Sequence, residues 1–258
     1  MKRKFLPVLL FLILSASLYA QGIEETQTTV TNQGPKVVAS TSWTAAFADL
    51  GGVDTLTTIA PASLVHPPEY EITVSDVKNI SDADYFIYAG YERMMKTLGD
   101  ALSNGSTKMV KITTDNSLAT VKAQAQEIAT IFGTEAISGE RVAQYDATIE
   151  QGKAAVTKAG LDTKKVLCHS MQVYLAKDLG LNVAGTFGPG PITATQIADA
   201  ANKQYDIIID NIHNPVASPL AEVSPASKVI VWRNFPESVG RGSLEKMVSE
   251  NISALLAK

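Results

Sequence analysis

Apolar and polar positions change rhythm repeatedly along this chain. Short β-branched runs, nearly unbroken in apolar character, give way to longer stretches with apolar residues three and four apart. The first pattern suits strands buried on both faces, and the second suits helices with one buried face. Val37-Val38-Ala39-Ser40 reads as a strand and Ser42 to Leu50 as a helix stopped by Gly51-Gly52. Val53 to Ala60 is a Thr-rich second strand, broken by Pro61, and Pro67-Pro68 hold the next loop open. Thr73 to Val77 begins a short helix capped by Thr73 or Ser75. Tyr85 to Ala89 is a third strand. Gly90-Tyr91-Glu92 then turns into a helix from Arg93 to Ala101, and Met109 to Ile112 is a fourth strand.

Asn116 to Phe132 places Leu118, Val121, Ala125 and Ile128 on one helical face, and Gly133 ends it. A longer helix is expected from a Ser138 cap to Ala159, closed by Gly160, with Val142, Tyr145, Ile149 and Val156 as its apolar stripe. The alternation then repeats. Strands are expected at Lys165 to His169, Val183 to Phe187, Tyr205 to Asp210 and Lys228 to Trp232. Helices are expected at Ser170 to Leu179, Thr193 to Gln204 and Leu244 to Ala257, with Val216 to Val223 a loop or short helix. Strand–helix alternation implies parallel sheets. The expected architecture is α/β: two lobes of parallel β-sheet flanked by helices, joined by one long backbone helix. The boundaries read as 36–137 for the first lobe, 138–160 for the linking helix and 161–258 for the second lobe.

The amino end carries a different signal. Lys2, Arg3 and Lys4 precede an apolar run from Phe5 to Leu14, and small residues lead to an exit at Ala20-Gln21. This reads as a secretory signal peptide over 1–20, too short to span a bilayer, with no cysteine at the exit for a lipid anchor. Residues 21–35 form a polar leader. Export to a periplasm is the simplest expectation. Loss of the signal takes 22 basic residues to 19 against 26 acidic ones, a net charge of −7. That balance argues against a nucleic-acid partner and a polybasic membrane patch. The single Cys168 cannot form an internal disulfide and reads as a small buried hydrophobe. It adjoins His169, but neighbouring strand residues point to opposite faces, which disfavours a Cys-His nucleophile.

Only three histidines occur, and each lies where a strand or apolar segment runs out into a loop: His66, His169 and His213. Ligands of open α/β sheets bind outside the carboxyl ends of the strands, and imidazole is a common metal ligand. A shared metal site is the sharp reading; scattered loop histidines are the plain one. Trp43 and Trp232 trail predicted strands and either line a cleft or pack the lobes together. With Arg233 and Asn234 they would suit an organic ligand stacked on indole. Gly188-Pro189-Gly190 lacks the spacing of a phosphate cradle and reads as a turn. No nucleophile elbow surrounds Ser170.

Leu64-Val65-His66-Pro67-Pro68-Glu69-Tyr70-Glu71-Ile72-Thr73-Val74-Ser75-Asp76-Val77 resembles the segment that carries the first metal histidine in substrate-binding proteins of zinc and manganese ABC importers. Asp82 to Gly90 is similar to that family's next strand. Cys168-His169-Ser170, followed by Tyr174 to Leu181, resembles its second-lobe segment, where a histidine opens a helix ending in Gly-Leu. The likeness runs in order along the chain after the signal. Two departures stand out. Lys111 to Leu118 occupies the place of an Asp-Pro-His-x-Trp stretch without any histidine. Arg233-Asn234-Phe235-Pro236 stands where the family has an Asp-Pro, and Asn234 has no carboxylate. The expectation is that His213 substitutes for a lost ligand.

The resemblance implies a non-catalytic, monomeric periplasmic receptor that captures a divalent transition metal and delivers it to an ABC permease in the inner membrane. His66 and His169 would clamp the ion from opposite lobes and His213 would add a third nitrogen. Asp210, Glu237, Glu92 or water would complete the shell. Three imidazoles suit Zn²⁺ better than Mn²⁺, which prefers oxygen. The competing readings are a receptor for a metal chelate or other organic ligand on the same scaffold, and a surface adhesin.

Overall fold

Thr41, Thr73 and Thr193 each open a helix by the same device. The hydroxyl accepts the backbone N–H three residues on, and the side chain at that position returns a bond to the cap's own N–H. These caps fix where strand gives way to helix. The computed structural model describes residues 34–99 and 105–257; the signal peptide, nearly all of the leader and the end of the Arg93 to Ala101 helix lie outside them.

The first lobe runs β1 (Val37–Ala39), α1 (Ser42–Leu50), β2 (Leu56–Thr58), α2 (Val74–Ser81), β3 (Tyr85–Tyr88), α3 (Met94–Leu98), β4 (Lys108–Lys111) and α4 (Leu118–Phe132). After α5 (Glu135–Lys158), the second lobe runs β5 (Lys165–His169), α6 (Val173–Asp178), β6 (Asn182–Phe187), α7 (Ala194–Lys203), β7 (Ile207–Asn211), α8 (Ser218–Val223), β8 (Lys228–Trp232) and α9 (Ser243–Leu256). Each lobe holds a four-stranded sheet, ordered β2-β1-β3-β4 in the first and β6-β5-β7-β8 in the second. Every pairing is parallel. The two halves thus share one topology, with the strand order reversing between β1 and β3 and between β5 and β7.

Alternation along the strands sorts the core into layers. Val37 and Ile87 face a large core that also takes in Val166, Cys168, Ile207 and Ile209 of the second sheet. Val38 and Phe86 face the outer layer of the first lobe, and Leu167 and Ile208 that of the second. The shared core includes α1, α4, α5 and α9 side chains, so the lobes meet through continuous apolar packing. Hydrogen bonds add to it, two of them from backbone N–H groups. Leu118 N–H donates to Asp178 at 2.6 Å, and Gly242 N–H to Asp49 at 2.9 Å.

The long helix differs from expectation at its start. Gly133 ends α4 at φ 67, a left-handed conformation that glycine adopts freely. One residue, Thr134, then suffices before α5 begins at Glu135, and Ser138 lies buried inside the first turn rather than capping it. With 24 residues α5 reaches about 36 Å. Its buried face is Ser138, Arg141, Tyr145, Ile149, Gly152 and Val156. β2 is shorter than expected, because Val53 N–H folds back onto Ala48 O at the end of α1. The Ser170 to Leu179 segment opens as a tight turn over Ser170–Gln172 before α6.

Candidate functional site

Parallel strands of one direction put all their carboxyl-end loops on one side of the sheet. Where two such sheets face each other across a cleft, those loops converge. Here they enclose a cavity of about 540 Å³. From the first lobe come Trp43 after β1, His66, Pro68 and Glu69 after β2, Tyr91 after β3, and Thr114 and Asp115 after β4. From the second come Ser170, Met171 and Tyr174 after β5, His213 and Asn214 after β7, and Asn234 and Phe235 after β8. Seven of the eight strands contribute, β6 being the exception.

His213 is the most informative of these residues. Its Nδ1 lies 2.8 Å from the carbonyl oxygen of Val65 in the opposite lobe. A carbonyl only accepts, so Nδ1 carries the proton and Nε2 carries the lone pair. Nε2 is buried and has no partner. Burial, the largest cause, holds the imidazole pKa below its ordinary value, against the opposing pull of the Val65 and Phe235 carbonyls. His213 is therefore neutral, as a metal ligand must be. Its ring packs edge-on to Phe235 at 5.1 Å, and Phe235 in turn packs against Trp43 at 4.8 Å. The Trp43 indole N–H donates to Asn116 Oδ1 at 2.9 Å. Asn234 is 1% exposed, and its Oδ1 is a second buried acceptor without a partner.

His66 is exposed at the start of a short turn over Pro67–Glu69 and lies in the same cavity wall. His169 is placed differently. It is fully buried, and its Nδ1 accepts from Met171 N–H at 3.2 Å. That assigns the proton to Nε2, which lies 2.9 Å from Asn214 Oδ1. Both nitrogens are engaged, and the ring stands behind the cavity wall, fixing Met171 and Asn214, which belong to the wall. Gly188 explains the tight fit: a Cβ there, where φ is +67, would come within 2.5 Å of His169 Nε2.

The expected carboxylates are occupied elsewhere. Asp210 accepts from the N–H groups of Asn211, Val216 and Ala217 and so shapes the His213 loop. Glu92, 1% exposed, accepts from Ser40 Oγ and from the N–H groups of Ala89 and Gly90. Glu237 is exposed and paired with Arg233 at 2.5 Å. These two residues line a neighbouring cavity of about 400 Å³ that shares His213 with the first. Trp232, read as lining the cleft or packing the lobes together, is fully buried in the shared core, on the same face of β8 as Ile230. Cys168 also faces that core. Burial raises its thiol to about 12, which leaves no thiolate for nucleophilic chemistry. Among the described residues, no three histidine, cysteine, aspartate or glutamate side chains converge as a metal-holding group.

Sequence reasoning singled out His66, His213, Trp43 and Asn234 of this wall and missed Tyr91, Tyr174, Phe235, Glu69 and Asp115. Their one sequence signal is position: Tyr91, Asp115, Tyr174 and Phe235 follow closely on a strand's carboxyl end, and Glu69 follows His66 in the loop after β2.

No family model and no curated protein matches the chain by sequence. Solved structures do match its fold. The Cd-bound periplasmic metal binding protein from candidatus liberibacter asiaticus is 17% identical, with a TM-score of 0.63, over 86% of this chain and 98% of that one. The Mn-bound form of that protein gives 17% and 0.62 over the same shares. The laminin binding protein (Lmb) of Streptococcus agalactiae, described as bifunctional with adhesin and metal transporting activity, gives 17% and 0.66, again over 86% and 98%. The chain has the two-lobe α/β fold of these metal-binding proteins, over nearly their whole length.

Proposed function

We propose that this protein is a periplasmic solute receptor that captures a divalent transition metal, zinc or manganese, between its lobes and hands it to an ABC permease. The observation that carries this reading is His213 Nε2: a neutral, buried imidazole nitrogen without a partner, in a cavity that also holds His66 and the unpartnered Asn234 Oδ1. Two imidazoles and an amide oxygen form a mixed nitrogen–oxygen set. Nitrogen donors favour zinc over manganese, and the two histidines come from opposite lobes, as a clamp requires. Glu69 and Asp115 add negative charge to the wall, which favours a cation. His169 serves the site by positioning Asn214 and Met171 from behind. The fold similarity supports the same reading, as does the apolar lobe interface, which suits a receptor with a small opening motion.

Calorimetric titration of metal-free protein with Zn²⁺ and with Mn²⁺ tests it. Binding to one ion is expected, weakened at least about tenfold, or about 1.4 kcal/mol, in His213→Ala and further in His213→Ala with His66→Ala. Absence of heat with both ions, or unchanged affinity in the double variant, would contradict it.

A further inference from the structure

The cavity is much larger than an ion. Its 540 Å³ compares with about 30 Å³ for one water's share of liquid. It falls inside the range of roughly 300–1,000 Å³ typical of sites for small organic molecules, which are mostly apolar and aromatic with a few polar groups. The wall has that character: Trp43, Tyr91, Tyr174 and Phe235 contribute aromatic surface from both lobes. Tyr91 is 50% exposed and Tyr174 48%, so neither ring is needed to fill the core. The donor set, by contrast, is short. Zinc takes four ligands in most protein sites, yet no three ionisable donors converge among the described residues, and both nitrogens of His169 are already bonded.

Resting on the reading of this cavity as the metal site, we infer that the cargo is a metal ion already carrying a small, planar, nitrogen-donor chelator. The chelator fills the coordination positions that the protein leaves open. His213 and His66 supply the remaining nitrogens. The tyrosine, tryptophan and phenylalanine rings hold the chelator's flat faces. Glu69 and Asp115 favour a complex of net positive charge.

Equilibrium dialysis of the metal-free protein distinguishes the forms, using three probes: zinc alone, an equimolar zinc–ortho-phenanthroline complex, and ortho-phenanthroline alone. The complex is expected to bind at least tenfold more tightly than zinc, and phenanthroline alone not to bind. Tyr91→Ala with Tyr174→Ala is expected to narrow that ratio to below threefold, and His213→Ala to weaken zinc and the complex together. If zinc binds as tightly as its complex, the chelate inference falls and the metal receptor stands. If phenanthroline alone binds as well as its complex, or no probe binds, the chelate inference falls, and the metal receptor falls with it only if calorimetry with both Zn²⁺ and Mn²⁺ also shows no heat.

Discussion

The imidazole of His213 donates its Nδ1 proton across the cleft to the carbonyl oxygen of Val65, 2.8 Å away. His213 follows β7 in the second lobe, and Val65 follows β2 in the first. One bond therefore does two things: it latches the lobes, and it fixes the tautomer that leaves the Nε2 lone pair available.

The burial behind that arrangement makes the contribution of His213 to stability sensitive to acid. Burial lowers the folded pKa of His213 from its ordinary 6.5. Below 6.5 the unfolded chain then binds more protons than the folded one, so this histidine's contribution to stability is full near neutral pH and falls on acidification. Asp49, Asp178 and Glu245 have pKa values raised chiefly by burial and act in the opposite sense. The margin in melting temperature between wild type and His213→Gln isolates the histidine. It is expected to shrink between about pH 8 and about pH 5.5. A margin that stays constant with pH would show that His213 is not buried in its neutral form.

His169 should behave as a structural residue. Replacement by alanine strips the Met171 N–H and the Asn214 amide oxygen of their buried partner, at a cost of about 1–3 kcal/mol. Urea unfolding should register that loss. An unchanged midpoint alongside abolished zinc binding would instead return His169 to the role of direct ligand.

The sequence made the strand–helix rhythm legible because contiguous β-branched runs such as Ile207-Ile208-Ile209 have few other destinations. The start of α2 was narrowed to Thr73 or Ser75 as its cap, and Thr73 holds that place. Polar residues buried by tertiary structure were not. Ser138 looked like a cap, but its place was set by the left-handed turn at Gly133. Arg141 interrupts the apolar stripe of α5 yet is only 3% exposed, because it bonds the Asp49 carbonyl and carboxylate and the Asp54 carboxylate. In the site, the chain ends of the strands told which loops gather. They could not tell that both His169 nitrogens would be taken, since Asn214 is far away in sequence and its amide arrives only through the β7 loop.

Gly152 is a tight point in the packing of α5. A Cβ there would come within 2.5 Å of Ile252 Cδ1 and 2.8 Å of Leu179 Cδ2, so α9 and the residue that follows α6 both press on the bare backbone. Gly152→Ala raises helix propensity by about 1 kcal/mol, but overpacking of this kind costs about 1–3 kcal/mol. A net loss of stability is expected in thermal denaturation. A gain would mean that the Ile252 and Leu179 side chains yield cheaply.

The central claim is that cargo metal meets His213 Nε2 between the lobes. Anomalous scattering from crystals grown with zinc locates the ion directly. The expected result is a peak in the interlobe cavity at about 2.0–2.1 Å from that nitrogen. A fully occupied zinc elsewhere, with His213 still lacking a partner at Nε2, would contradict the account.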